Sequence, residues 1–324
     1  MKGKHHIVIE TERLKYEFDI RRNITVIQGD SATGKTTLVE ILAEFSRNRG
    51  GVRVISDVSC MVFSGDERHW KTFFEETTEN IIFIDEDYEF VFGVDFAEYI
   101  RKSDNYYVII SRRPLYNIPY SVQEIYGIRT SGKYHFPEKV YQEFYPIYEN
   151  EYKDTEGPNL LVLVEDSKAG YQFFSEIIKK GQCIGCGGNS KIYAKMMEND
   201  SRQMLIIADG AAFGAYIANM VSFRNLKKKV AIYLPESFEW LILKSGVLED
   251  RSVEEILKHP EDYIDSAEYF SWERFFTELL REKSSKDRYK QYNKDLLPVF
   301  YKEGKNADSI IRVLPEEIRS LIGL

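Results

Sequence analysis

Hydrophobic and polar side chains alternate over residues 6–10 and again over Leu14–Ile20, the period of two that a half-buried strand requires. Together they predict an antiparallel pair feeding a third strand, the apolar, β-branched run Ile24-Thr25-Val26-Ile27. Leu38, Ile41, Leu42 and Phe45 then recur at helical spacing, so residues 37–45 are expected to be a helix. Gly50-Gly51 breaks this pattern. Residues 52–55 and 60–63 predict short strands, 66–79 a helix, and 81–84 and Tyr106–Ile110 further apolar strands. Residues 146–158, which combine Pro146, Asn150, Gly157 and Pro158 with charged neighbours, read as a linker. Beyond it come a strand over 159–164, a helix over 171–178, a glycine-rich segment leading to a helix that ends near Met197, and a strand over 204–208. From residue 250 the pattern is charged and helical (253–257, 272–281 and 310–314), with Phe270, Trp272, Phe275 and Phe276 expected in a core. Strands alternating with helices imply parallel sheets. The expected fold class is α/β: two three-layer domains with mostly parallel sheets, residues 1–150 and 158–245, and a helical extension, 246–324, packed on the second.

Chemistry enters at the turn between the third strand and the first helix. Gly29-Asp30-Ser31-Ala32-Thr33-Gly34-Lys35-Thr36-Thr37 fits the phosphate-loop pattern G-x-x-x-x-G-K-[ST]. Glycines there permit backbone conformations closed to other residues, and successive amides can then converge on phosphates at the helix N-terminus. Lys35 would reach the β and γ phosphates of a bound nucleotide, and the Thr36 hydroxyl would hold Mg²⁺. Four apolar residues followed by Asp85-Glu86 give a buried strand that delivers acids to its C-terminal edge. Asp85 would hold Mg²⁺ through water, and Glu86 would orient the attacking water. Ser111, after the strand Tyr106–Ile110, sits where a polar group would sense a γ-phosphate, and Arg112 or Arg113 is placed to contact one or simply to cap the strand.

In the second half, Glu165 and Asp209 each end an apolar strand. In a parallel sheet they reach the same edge, where two carboxylates could share one Mg²⁺. Glu236 and Glu239 lie on one face of a helix start, as further ligands or as acids favoured in a first turn. Cys183 and Cys186 form a lone C-x-x-C without an obvious second pair of zinc ligands, so packing of a glycine-rich turn is the plainer reading.

The first set of motifs resembles the ATPase half of ABC/AAA-like P-loop ATPases, including those of bacterial defence proteins, over about residues 6–130. No LSGGQ-type signature separates Lys35 from Asp85, so this would be a pared-down version. The second set resembles the Toprim domain, particularly the OLD-family version fused to ATPases, over roughly residues 158–245. That family carries Leu-Val-Glu-Gly, a glycine-containing middle segment and Asp-x-Asp-x-x-Gly. Here Leu163-Val164-Glu165, Gly187-Gly188-Asn189-Ser190-Lys191 and Asp209-Gly210-Ala211-Ala212-Phe213-Gly214 correspond, but Ala211 stands where the second aspartate belongs and Asp166 replaces a glycine. The resemblance implies ATP and Mg²⁺ as cofactors, phosphodiester chemistry on DNA or RNA, and a role in defence against phage or mobile elements. The missing carboxylate lowers the charge available to a cation, and Glu239 or Glu236 would have to make it up.

Composition narrows the class. Of 324 residues, 43% are hydrophobic and 30% charged, ample for a globular core. The 22 tyrosines and 20 phenylalanines are expected chiefly in cores and interfaces. No apolar run reaches the roughly 18–20 residues of a membrane helix, and the opening residues lead into an amphipathic strand rather than a signal peptide. Three cysteines predict a reducing compartment, the cytoplasm. A net charge of −8 argues against nucleic-acid binding over the whole surface, while Arg224 and Lys227 to Lys229 form the densest basic patch, a solvated helix end on the plain reading. Three functions stay open: an ATP-driven nuclease, an ATP-dependent switch whose Toprim-like module binds nucleic acid or protein without cutting, and a small-molecule kinase. A homo-oligomer is compatible with each.

Overall fold

The computed structural model describes residues 1–29, 34–47, 50–131, 139–148, 159–227 and 229–324. It divides into two units, Met1–Tyr148 with His259–Ser271, and Glu149–Lys258 with Trp272–Leu324. The extension expected over 246–324 is therefore split, because 259–271 returns to the first unit. There Gly3 donates its amide to the Glu261 carbonyl at 2.8 Å, and the Asn23 side chain donates to the Phe270 carbonyl at 3.0 Å.

The strands of the first unit are β1 (His5–Glu10), β2 (Leu14–Ile20), β3 (Ile24–Ile27), β4 (Arg53–Ile55), β5 (Ser59–Val62), β6 (Asn80–Ile84), β7 (Tyr106–Ile110), β8 (Ile125–Thr130) and β9 (Val140–Pro146). They form one sheet in the order β4-β1-β2-β9-β8-β3-β7-β6-β5. The pairs β2/β9, β8/β3, β3/β7, β7/β6 and β6/β5 are parallel, and β1/β2, β1/β4 and β8/β9 antiparallel. The predicted antiparallel pair forms, but β2 is bordered by β9 rather than by β3. Side chains of β3 and β7 are buried at every position, as a strand covered on both faces must be. Helix α1 (Lys35–Ser46) contributes Leu38, Val39, Ile41 and Leu42 to a core shared with Ile81, Phe83, Tyr106, Val108 and Ile110. The alternate residue Tyr107 faces the other way, into an aromatic cluster fed by α2 (Trp70–Glu75) and α3 (Val94–Ile100). The helix expected over 66–79 is shorter: Glu67–His69 form a 3-10 turn, α2 ends at Glu75, and Glu79 takes a left-handed conformation (φ 53°) before β6.

The second unit holds a parallel sheet in the order β11-β10-β12-β13, from β10 (Leu161–Val164), β11 (Gln182–Gly185), β12 (Met204–Ile207) and β13 (Val230–Tyr233). Helix α4 (Ala169–Ile177) connects β10 to β11, α5 (Asn189–Glu198) connects β11 to β12, and α6 (Gly214–Lys227) leads to β13. The chain moves outward from β10 to β11, then returns to the opposite side of β10 as β12. The C-terminal edge between β10 and β12 is thus a topological switch point, where crevices form in open α/β sheets. Helices α7 (Phe238–Lys244), α8 (Arg251–Lys258), α9 (Trp272–Ser284), α10 (Val299–Lys302), α11 (Gly304–Val313) and α12 (Glu316–Ile322) complete the unit. No helix among the described residues is long and apolar enough to cross a membrane.

Candidate functional site

In the first unit β3, β7 and β6 run parallel, with Ile27 beside Ile110 and Ile109 beside Ile84. The residues that follow them, Gly29, Ser111 and Asp85, consequently emerge on one sheet edge. Gly29 and Gly34 have φ of 132° and 88°, where L side chains are strained. A Cβ on Gly34 would also lie 3.1 Å from the Tyr16 hydroxyl, which donates to the Gly34 carbonyl at 2.9 Å. Lys35 opens α1 and folds back, its Nζ donating to the Gly29 carbonyl at 2.6 Å. Asp30, Ser31, Ala32 and Thr33 lie outside the described residues. Gly34, Lys35, Thr36 and Thr37 line a cavity of about 810 Å³, within the range of small-molecule sites.

Asp85 accepts the Glu86 amide at 2.8 Å, and burial, with neighbouring Asp87, Glu86 and Glu40, raises its pKa above the ordinary carboxylate value. A nearby cation would reverse that shift. Glu86 is gripped by Arg112, whose Nε and Nη2 donate to its two carboxylate oxygens at 2.9 Å each. Ser111, expected to face a phosphate, is instead buried and donates its hydroxyl to the Arg113 carbonyl at 2.7 Å. Arg112 is the residue of this turn that lines the cavity. Arg113 pairs with Glu89 at 2.6 Å and stacks 3.8 Å from the Phe92 ring centroid.

The far wall of the cavity was not foreseen from the sequence. It comes from β8 and β9, which contribute Arg129, Gln142 and Tyr145. Gly127 is paired opposite Tyr145, and a Cβ there would come within 2.5 Å of the tyrosine ring, so only glycine lets the ring lie across β8. The Arg129 guanidinium sits 4.9 Å from the same ring's centroid. The signal in the sequence was a single glycine between apolar residues, which periodicity does not separate from a loop.

In the second unit Glu165 and Asp209 meet at the switch point, as their positions predicted. The Asp209 amide donates to Glu165 Oε2 at 2.8 Å, and Asp209 Oδ1 accepts the Phe238 amide at 3.1 Å. Gly210 is required beside them, because a Cβ would meet the Leu234 and Pro235 carbonyls at 2.9 Å. Asp166, which follows Glu165, caps α4, its carboxylate accepting the Tyr171 and Gly170 amides at 2.7 and 3.2 Å. Ala211 is buried, and its amide donates to the Glu236 carbonyl at 3.1 Å. A cavity of only about 20 Å³, enough for roughly one water molecule, lies between Glu165, Asp209, Phe174 and Phe238.

Glu239 joins this group but is committed to other partners. It is 1% exposed, and its Oε1 accepts the Tyr292 hydroxyl at 2.7 Å and lies 3.4 Å from Lys294 Nζ. Lys294 also donates to Glu273 Oε1 at 3.0 Å. Tyr292, Lys294 and Glu273 had no motif to announce them: Glu273 is one of several charges on α9, and Tyr292 and Lys294 lie in the irregular segment between α9 and α10. Among the described residues no group of three or more His, Cys, Asp or Glu side chains is arranged to hold a metal ion. Glu165, Asp209 and Glu239, the residues expected to hold Mg²⁺, are thus not gathered into a preformed shell of three ligands. Burial pushes the Cys183 and Cys186 thiols up to about 12 and about 11, so both favour the protonated form.

Burial raises the Glu165 pKa to about 8, opposed by the Asp209 amide and reinforced by Glu273 and Asp166. Burial and then Glu165, Glu273 and Glu239 raise that of Asp209 well above its ordinary value. A folded-state pKa raised above the unfolded one means that the native state holds its proton longer. Stability from this group is then complete below the unfolded value and is lost as pH climbs through the folded one. The second unit is thus expected to unfold at lower temperature at pH 8.5 than at pH 6. Glu165→Gln should flatten the slope measured by calorimetry, and an unchanged slope would exclude Glu165 as its source.

No family model matches the chain, and neither the curated proteins nor the solved structures give a significant match.

Proposed function

We propose that the first unit is a P-loop ATPase domain of the ABC/AAA-like kind. The second is then a Toprim-like module of OLD type that ATP switches between states without its cutting nucleic acid. The observation that carries the nucleotide reading is the cavity at Gly34, Lys35, Thr36 and Thr37, set on the sheet edge where Asp85, Glu86 and Arg112 emerge. Its size suits a nucleotide, and its lining supplies cations for phosphates and an aromatic ring for a base. Thr36 and Asp85 are hard oxygen donors suited to Mg²⁺, and they would hold it. When bound, the ion neutralises charge on the β and γ phosphates. Lys35 then leaves the Gly29 carbonyl for the phosphates, and Arg112 is placed to exchange Glu86 for the γ-phosphate. Glu86, released, orients the water.

Glu86→Gln is accordingly expected to lower turnover by roughly 10²-fold, while nucleotide affinity changes by less than about threefold. Equal losses in a coupled phosphate-release assay and in equilibrium binding would remove the water-orienting role from Glu86.

The switch reading of the second unit rests on Lys294, which contacts Glu239, one of the carboxylates a metal would need, and ties it to Glu273. The meeting of Glu165 and Asp209 at the switch point favours the nuclease as a second reading. Labelled DNA and RNA, incubated with Mg²⁺ or Mn²⁺ and with or without ATP, separate the two. Binding that changes with ATP and leaves the strand whole is expected. Metal-dependent cleavage abolished by Glu165→Ala and Asp209→Ala would install the nuclease instead.

A further inference from the structure

Four carboxylates and one ammonium occupy the crevice beside β10 and β12. Lys294 Nζ lies 3.0 Å from Glu273 Oε1 and 3.4 Å from Glu239 Oε1. Asp209 follows, tied by its amide to Glu165 at 2.8 Å. The remaining Glu239 oxygen, Oε2, is buried with no hydrogen-bond partner, an arrangement that is costly unless a positive charge stands close by. Lys294 supplies that charge: it contacts the same carboxylate through Oε1 and bridges it to Glu273.

Deepening the switch reading, we propose that the Lys294 ammonium is the resident cation of this cluster, standing in the place of a divalent metal ion. Charge balance links it to Ala211. Exchanging a doubly charged ion for an ammonium removes one positive charge, and exchanging an aspartate for Ala211 removes one negative charge. The two departures together leave the net charge of the cluster unchanged. Geometry agrees: an ammonium offers three donors on a flexible stem and satisfies Glu239 and Glu273 without drawing Glu165 and Asp209 into a common shell. Tyr292 holds Glu239 in that arrangement through its hydroxyl.

The test is hydrogen exchange, read by mass spectrometry, of the full chain without nucleotide, following peptides that contain β10, β12 and α7. For the wild type, protection in chelator and in 5 mM Mn²⁺ is expected to be equal. Lys294→Met should exchange at least tenfold faster in these peptides in chelator and regain protection at least tenfold when Mn²⁺ is added. If that variant is isolated unfolded, the same Mn²⁺ titration becomes a refolding assay with the same expected outcome. Lys294→Arg keeps the charge and should ignore Mn²⁺. Protection of the wild type by Mn²⁺, Mn²⁺ dependence of Lys294→Arg, or a Lys294→Met chain that Mn²⁺ neither protects nor refolds would each overturn the proposal. Because nucleotide is omitted, a failure of the first unit to bind ATP would leave this result unchanged.

Discussion

Lys35→Ala is expected to weaken binding of Mg²⁺-ATP by roughly 30–150-fold, as removal of a charge-assisted hydrogen bond worth about 2–3 kcal/mol implies. The loss in turnover should be larger, on the order of 10²–10³-fold, because the ammonium also faces charge that grows as the γ-phosphoryl group departs. Lys35 is 4% exposed, its charge is held against the Gly29 carbonyl, and no other lysine among the described residues lines the cavity to replace it. The fold should survive, since the hydrogen bond removed ends on a backbone carbonyl and the apolar face of α1 stays in place. Isothermal titration with ATP and GTP, followed by phosphate release, checks both figures. A variant that binds and hydrolyses like the wild type would refute the assignment of the whole loop.

The largest loss of stability is expected from Phe74→Ala. The Phe74 ring is buried at the centre of an aromatic cluster, with centroids of Phe63, Trp70, Phe96, Tyr99 and Tyr107 at 5.6, 5.8, 5.9, 6.0 and 5.7 Å. Truncation leaves a cavity that rigid rings cannot collapse to fill, at a cost of about 3–5 kcal/mol. For a unit of this size the melting temperature should fall on the order of 10 °C. Tyr289→Ala, at a ring 86% exposed, is the control and should move it little. The cluster also supports the sheet edge that carries Glu86. Phe63 packs on Tyr88 and Phe90 at 4.7 and 5.2 Å, in the segment that follows Glu86. Phe74→Ala should therefore loosen the Glu86–Arg112 pair and lower turnover near its own melting temperature. Calorimetry showing a loss below 1 kcal/mol would mean that the cluster packs less tightly than its ring spacings indicate.

Strong local signals carried furthest from sequence to structure. The alternation in Leu14–Ile20 became β2, and the unbroken runs Ile24–Ile27 and Tyr106–Ile110 became buried strands. The pairing of Glu165 with Asp209 followed from parallel strands alone, because each acid ends an apolar run and parallel strands share a C-terminal edge. Weak local signals did not carry. Strands β8 and β9 mix charge, glycine and aromatics, with β9 only half-buried, so their pattern resembles a loop until the sheet pairs them. Strand β11 is a four-residue edge strand, half-exposed, and its Cys183 read as part of a turn. Strand β13, Val230–Tyr233, is buried but follows directly on the basic end of α6, which masks its start.

Taken alone, the order of residues settled which segments bury and which chemistry each strand delivers to its end. Both are local properties, fixed by spacing along the backbone. Tertiary structure decided which charges meet. Glu239, Glu273 and the Tyr292–Lys294 segment are well separated in sequence and lie on no shared motif, yet packing puts them in one crevice with Asp209. It likewise turned Ser111 inward and brought Arg112 to Glu86. Charges on helices and turns look alike in a one-dimensional pattern. Only the desolvation that comes with burial, and the partner that burial then demands, separates a solvated lysine from one that neutralises a buried cluster of acids.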